Sequence, residues 1–296
     1  MPSRRGLGLL AGLGAAAIWG GMYVVSKYVL DHVPPFTLVW LRLAIGAVAL
    51  AAVALVVRSG ARAPERERTI GARGLAFMAL LGAVGMFGSM NAQFLGTKLS
   101  TAANGALITS ATPAFMVLFA RPILGERLTA WRVVGLLAAT AGVVVTIVLD
   151  PSFRGLGGGR LGNALLVAAA LTWALYSVLA GLAARSRPAL VTTLYATAFG
   201  ALFTLPLVDL GFEPPPALAW LGVLYLGVVS TAVAFYLWNR SIQLLGAGLP
   251  AVLFFAQPVV GGALGALLLG ERLGAGFFLG GALIVAGVLV TALKSP

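Results

Sequence analysis

Runs of about twenty apolar residues follow one another along almost the whole chain, with charged residues at the breaks between them. Inside lipid such a segment has no water for its backbone, so its N–H and C=O groups must pair internally and the segment must be helical. The breaks predict helices at 6–26, 35–57, 74–95, 101–121 and 130–149, then 161–183, 188–208, 217–239, 247–269 and 274–293. The expected fold is an all-α polytopic membrane protein with ten transmembrane helices. With 60% hydrophobic and only 9% charged residues, the chain lies outside soluble globular usage. Arg4-Arg5 ahead of the apolar run from Gly6 to Val25 resembles a secretory leader. That run is long enough to span, and more spans follow, so an uncleaved first helix is expected.

At an offset of 145 residues, Gly125-Glu126-Arg127-Leu128 returns as Gly270-Glu271-Arg272-Leu273. The same offset carries Pro113 onto Pro258, Gly135 onto Gly280, Ala141-Gly142-Val143 onto Ala286-Gly287-Val288, and Thr146 onto Thr291. A colinear set of this kind indicates internal duplication. The expected division is a first five-helix repeat over 1–150, a glycine-rich linker over 151–159 and a second repeat over 160–296.

The net charge of +12 raises the question of nucleic acid, but the basic residues are scattered at segment ends and form no stripe. They obey the positive-inside rule instead. The tail, the 58–73 loop, the turns at 121–132 and 185–187, Arg240 and Lys294 hold 14 Lys and Arg, against 5 on the other face. Both termini are therefore expected in the cytoplasm. Five spans per repeat is an odd number, so the two copies must be inverted, an arrangement that places a substrate site near the midplane.

The segment from Thr101 to Ile147 resembles the drug/metabolite transporter superfamily, in particular its EamA-type ten-helix exporters. The resemblance lies in a small-residue helix with Pro113, then Gly-Glu-Arg-Leu, then a helix with Gly135 and Ala141-Gly142-Val143, all repeated from Gly246 to Thr291. Trp19-Gly20 and Arg42 look like that family's N-terminal unit. The resemblance implies two inverted five-helix repeats around a central cavity. It also implies efflux of amino acids, aromatic and other neutral ones, and of related small metabolites.

Arg42 interrupts an apolar span, where a charge costs about 2.5–3.5 kcal/mol at the bilayer centre. It can bind a substrate carboxylate through its guanidinium fork, or snorkel as a structural residue. Trp19, Tyr23, Trp173, Tyr176 and Tyr236 offer aromatic walls for an ammonium or an aromatic ring, with an interfacial belt as the alternative. Asn91 and Gln257 are candidate cavity amides, which otherwise bond between helices. Pro113 and Pro258 are expected mid-helix at equivalent positions, where each frees the carbonyl four residues earlier, at Thr109 and Phe254. They are candidate hinges, with a static packing kink as the alternative. The glutamates of the repeated tetrapeptide are expected to be structural, set near helix N-termini.

All eight acidic residues fall in loops or at helix ends, so no carboxylate is placed to relay protons at mid-membrane. Facilitative export or exchange by alternating access is therefore expected over strict proton coupling. A broad exporter of aromatic drugs is the alternative. A membrane-embedded lipid-processing enzyme would need a positioned nucleophile, base or metal. With one histidine and no cysteine, neither catalysis, a cofactor nor a metal is expected. The expected partners are a small-molecule substrate and the bilayer of the bacterial cytoplasmic membrane. Ten helices can enclose a cavity alone, so a monomer is expected.

Overall fold

The computed structural model describes residues 3–59, 70–99, 108–109, 111–126, 129–149, 159–269 and 274–294, and every regular element among them is a helix. In order these are α1 (Arg4–Leu30), α2 (Pro35–Ser59), α3 (Ala72–Leu99), α4 (Thr112–Leu124), α5 (Ala130–Val148) and α6 (Arg160–Ala183). Then come α7 (Ala189–Leu207), α8 (Ala217–Leu245), α9 (Gly248–Leu253), α10 (Ala256–Leu269) and α11 (Ala275–Lys294). Six of them, α2, α3, α6, α7, α8 and α11, are long and apolar enough to cross a membrane, which makes this a multi-pass integral membrane protein. Large apolar side chains such as Val48, Leu55, Leu137 and Leu293 are exposed, as a lipid-facing surface requires. The linker residues 151–158, the second Gly-Glu-Arg-Leu at 270–273 and the start of the expected 101–121 helix lie outside the described residues.

Local chemistry sets the helix ends. Ser3 Oγ accepts the Gly6 N–H at 3.1 Å and caps α1. Pro35 opens α2, where its missing N–H costs nothing. Gly125 ends α4 in the left-handed region (φ 73°), and the next N–H, of Glu126, returns to the Ala120 carbonyl at 3.3 Å.

Regular winding is broken inside α3 and α8 and again just before α10. The middle of α3 (Gly82–Ser89) and of α8 (Val228–Val233) is wound as π-helix, a form that leaves backbone groups out of the usual ladder. Pro113 stands in the first turn of α4 rather than at mid-helix. Pro258 stands in the first turn of α10, after a turn at Phe254 and Phe255 that separates α10 from α9. At these positions a proline removes few helical bonds. The Phe254 carbonyl is not freed either, because it accepts the Gln257 N–H at 3.1 Å.

Glycines bring the helices together where a Cβ would not fit. A Cβ on Gly142 would lie 2.5 Å from the Gly280 carbonyl oxygen, and one on Gly287 would lie 2.5 Å from that of Gly135. Gly135 faces Thr291 and Gly280 faces Thr146, so α5 and α11 cross antiparallel with their backbones nearly touching. Elsewhere α2 packs on the π segment of α8, with Gly46 on Thr231 and Ile45 on Gly227. In the same way α7 packs on the π segment of α3, with Gly200 on Met86 and Phe199 on Gly82. Beside them α1 packs on α8, and α6 packs on α3 and α4, around a central space.

Candidate functional site

The central space is a cavity of about 60 Å³, bounded by residues of α1, α2, α3, α4, α6, α8 and α10. That volume suits a few water molecules rather than an amino acid, so a larger solute requires the walls to move. Trp19, Trp173, Phe235 and Phe254 form its aromatic side, and Met22 and Met90 add sulfur. Its polar side is Arg42, Ser89, Gln93, Thr109, Thr112 and Gln257. Arg42 is its sole charged wall residue, and no carboxylate lines it among the described residues.

Trp19 is the hub of the aromatic side. Its ring meets Trp173 edge-on at 5.5 Å, Phe235 at 5.2 Å, Trp238 at 5.5 Å and Phe254 at 6.0 Å. These separations are those at which aromatic pairs attract. Its Nε1 donates to the Ser230 carbonyl at 3.0 Å, within the π segment of α8. Trp173 is equally buried, but its Nε1 has no hydrogen-bond partner among the described residues. A cavity wall thus carries one satisfied and one unsatisfied indole donor.

Arg42 is 1% exposed and is held by the same π segment. Its Nε donates to Thr231 Oγ1 at 3.0 Å and one Nη to Ser230 Oγ at 3.1 Å, while the other Nη lies 3.3 Å from Met22 Sδ. Thr231 in turn donates to the Leu226 carbonyl at 2.8 Å, which fixes its lone pairs toward the guanidinium. The Phe94 ring lies 5.9 Å from the guanidinium carbon, within cation–π range. Arg42 is therefore structurally anchored and cavity-facing at once, so the two roles read from its sequence position are compatible.

The structure brings Trp19, Arg42, Trp173 and Gln257 together at this cavity and leaves other candidates behind its walls. Tyr176 is fully buried behind Trp173, stacked on it at 5.0 Å, and its hydroxyl accepts from Asn239 Nδ2 at 2.9 Å. Asn91 spends its amide N–H groups on the Phe87 carbonyl at 2.8 Å and Thr204 Oγ1 at 3.1 Å, joining α3 to α7. Tyr236 is half-buried and points away, while its neighbour Phe235 lines the cavity. Tyr23 belongs to α1, with its side chain outside the described residues. Pro113 and Pro258 each follow a cavity residue, Thr112 and Gln257. Sequence reasoning did not single out Met22, Ser89, Met90, Gln93 or Phe235 as wall residues. For Met22 the signal was present, since it lies three residues after Trp19 and so on the same face of α1.

At the end of the molecule that carries the N-terminus of α1, Glu126 of the repeated tetrapeptide acts as a clasp. Its Oε1 accepts the Ala247 N–H at 2.6 Å and its Oε2 the Gly248 N–H at 3.0 Å, with Arg132 Nη1 3.3 Å away. A carboxylate thereby meets free N–H groups at the start of α9, next to Gly246 with φ 77°. The structural role expected of this glutamate spans two distant parts of the chain.

The sequence profile of the EamA-like transporter family matches residues 6–148 and again residues 160–293. The chain is 27% identical to YetK, an uncharacterized transporter of Bacillus subtilis (strain 168), over 98% of this chain and 88% of that protein. It is 29% identical to the aromatic amino acid exporter YddG of Ancylobacter novellus, over 86% of each chain. A protein of known crystal structure is similar with a TM-score of 0.80, at 27% identity and over 97% of both chains. The two profile matches take in α1 to α5 and α6 to α11, so the chain belongs to the EamA-like transporter family.

Proposed function

We propose that this protein exports amino acids with apolar or aromatic side chains across the bacterial cytoplasmic membrane, by alternating access of two inverted five-helix halves. The observation that carries the substrate class is the cavity wall: one guanidinium, two amides and an aromatic cluster, with no carboxylate among the described residues. Arg42 suits a substrate carboxylate in bidentate fashion. The faces of Trp19 and Trp173 suit an apolar side chain, and ring faces also attract an ammonium. Similarity to an aromatic amino acid exporter favours the same class.

Reciprocal contacts support the inverted halves. A shift of 145 residues turns the Gly135–Thr291 contact into Gly280–Thr146, with the partners exchanged. For the second helix of each half the shift is 154, as between Trp19 and Trp173 in the first. Gly46–Thr231 then becomes Gly200–Met86, and Ile45–Gly227 becomes Phe199–Gly82. Contacts that exchange in this way are those a two-fold axis between the halves would produce. In that reading α9 and α10 together make one crossing, giving ten.

That no carboxylate lines the cavity among the described residues also favours facilitative flux over proton coupling. Uptake of labelled phenylalanine into proteoliposomes, with and without a pH gradient, tests the proposal. Saturable flux without the gradient is expected. Flux that requires the gradient sinks the facilitative mechanism, and no flux of any amino acid sinks the substrate class. An exporter of aromatic cations is the weaker reading, because Arg42 would repel them; amino acids failing to compete with a cationic drug would revive it.

A further inference from the structure

A second cavity, of about 280 Å³, lies between the end of α1, the start of α2 and the end of α3. It shares the wall residues Met22 and Gln93 with the central cavity, which it adjoins, and it reaches the exposed Lys98. We infer that this outer cavity is a separate binding site for small apolar carboxylates, with Lys98 and Ser26 as its polar contacts.

Three features carry the inference. The walls Leu30, Pro35 and Phe94 form an apolar box, and its volume is just below that of sites for drug-sized molecules. Ser26 lines the box, is 6% exposed, and its Oγ has no hydrogen-bond partner among the described residues. Buried hydroxyls are normally paired, so an unpaired one in a cavity wall marks a place for a polar ligand atom. Among the described residues Lys98 supplies the single charge at the site, and no described carboxylate lines the cavity to neutralise it. An apolar body fits the box while an anionic end meets the ammonium, and a cation is repelled.

The cavity opens at the end of α1 opposite Arg4, the face that the Lys and Arg count assigns to the outside. Its role as an exit station, receiving a carboxylate released by Arg42, rests on the transport reading. The existence of the site does not.

The probe is 3-phenylpropionate, an apolar carboxylate without an ammonium, titrated into the purified full-length protein, with phenethylamine as the cationic counterpart. Saturable binding of 3-phenylpropionate and none of phenethylamine is expected. Lys98 is exposed, so its contact is partly screened, and Lys98→Gln is expected to weaken binding about threefold to tenfold. Lys98→Arg should stay within about twofold, and Ser26→Val, which fills the box, should weaken binding further. Absence of binding to the wild type, equal binding of phenethylamine, or equal affinity in Lys98→Gln and Ser26→Val each overturns the site. Lys98-dependent binding in a protein that moves no amino acid would uphold the site and remove the exporter reading. Flux with Lys98-independent binding would do the reverse.

Discussion

The two tryptophans at the cavity differ in one hydrogen bond, and that difference gives unequal predictions for the same substitution. Both Trp19→Phe and Trp173→Phe lose ring packing in the aromatic cluster. Trp19→Phe also loses the bond from Nε1 to the Ser230 carbonyl, which keeps only Arg42 Nη2 at 3.5 Å. It should therefore cost about 1 kcal/mol more than Trp173→Phe, whose indole donor has no partner among the described residues. Melting temperatures in detergent check both, and an equal or larger loss for Trp173→Phe would remove the distinction between the two indoles. Arg42→Lys keeps a charge but loses the fork that reaches Ser230 and Thr231, so KM for a carboxylate substrate in proteoliposome flux should rise about tenfold. An unchanged KM would leave Arg42 a purely structural residue. Arg42 and Trp19 were legible in the sequence because a charge or a large amphipathic ring inside an apolar span needs a reason. Asn91, Tyr176 and Tyr236 were not separable from them. Which way each faces depends on the rotation of its helix, and a span apolar on nearly all sides does not record that rotation.

Helix limits were far more legible than helix faces, since charged and proline-rich breaks mark where lipid ends. Eight of the expected segments fall on single described helices to within a few residues at most ends, 247–269 is divided between α9 and α10, and 101–121 is described only in part. What the sequence left unplaced was irregularity within them. The π segment at 228–233 has no glycine or proline, and the glycines at 82, 85 and 88 are of a kind found in regularly wound helices here too. Pro258 marks the turn before α10 without fixing its place. The glycines that bring α5 and α11 together supply a sharp test of the packing. Gly280→Ala would drive its Cβ onto the Gly142 carbonyl oxygen and Thr146 Oγ1, whereas a Cβ on neighbouring Gly281 meets nothing within 4 Å. The first should cost about 1–3 kcal/mol by overpacking, and the second should gain slightly from higher helix propensity. Equal melting temperatures for the two variants would mean that α5 and α11 do not cross at these residues.

The two ends of the molecule are closed to different degrees, and the proposed inverted arrangement of the halves would give that difference a function. At the end carrying Arg4, Glu126 holds Ala247 and Gly248, Arg185 donates to the Leu124 carbonyl at 2.6 Å, and Ser241 donates to the Gly8 carbonyl at 2.8 Å. At the opposite end lies the outer cavity with Lys98 at its mouth. The repeat offset carries Glu126 onto Glu271 but Arg132 onto Phe277, so a clasp at the outer end would lack its arginine. In the proposed alternating-access cycle, two states related by an approximate two-fold need not be equally stable, and the Glu126 clasp would bias the molecule toward the one open at the end away from Arg4. Glu126→Gln keeps the side-chain shape but replaces a charged acceptor pair with one neutral oxygen and a donor, which weakens the clasp to Ala247 and Gly248. The chain has no cysteine, so a single introduced thiol reports accessibility without background. In the parent protein Thr97→Cys, in the outer cavity, should react readily with a membrane-impermeant maleimide, and Ser241→Cys, fully buried at the clasped end, should react slowly. Adding Glu126→Gln should slow the first and raise the second about tenfold, the change expected from about 1.4 kcal/mol of lost bias. Labelling that is the same with and without Glu126→Gln would make the clasp a static cap on α9 and place the gate elsewhere.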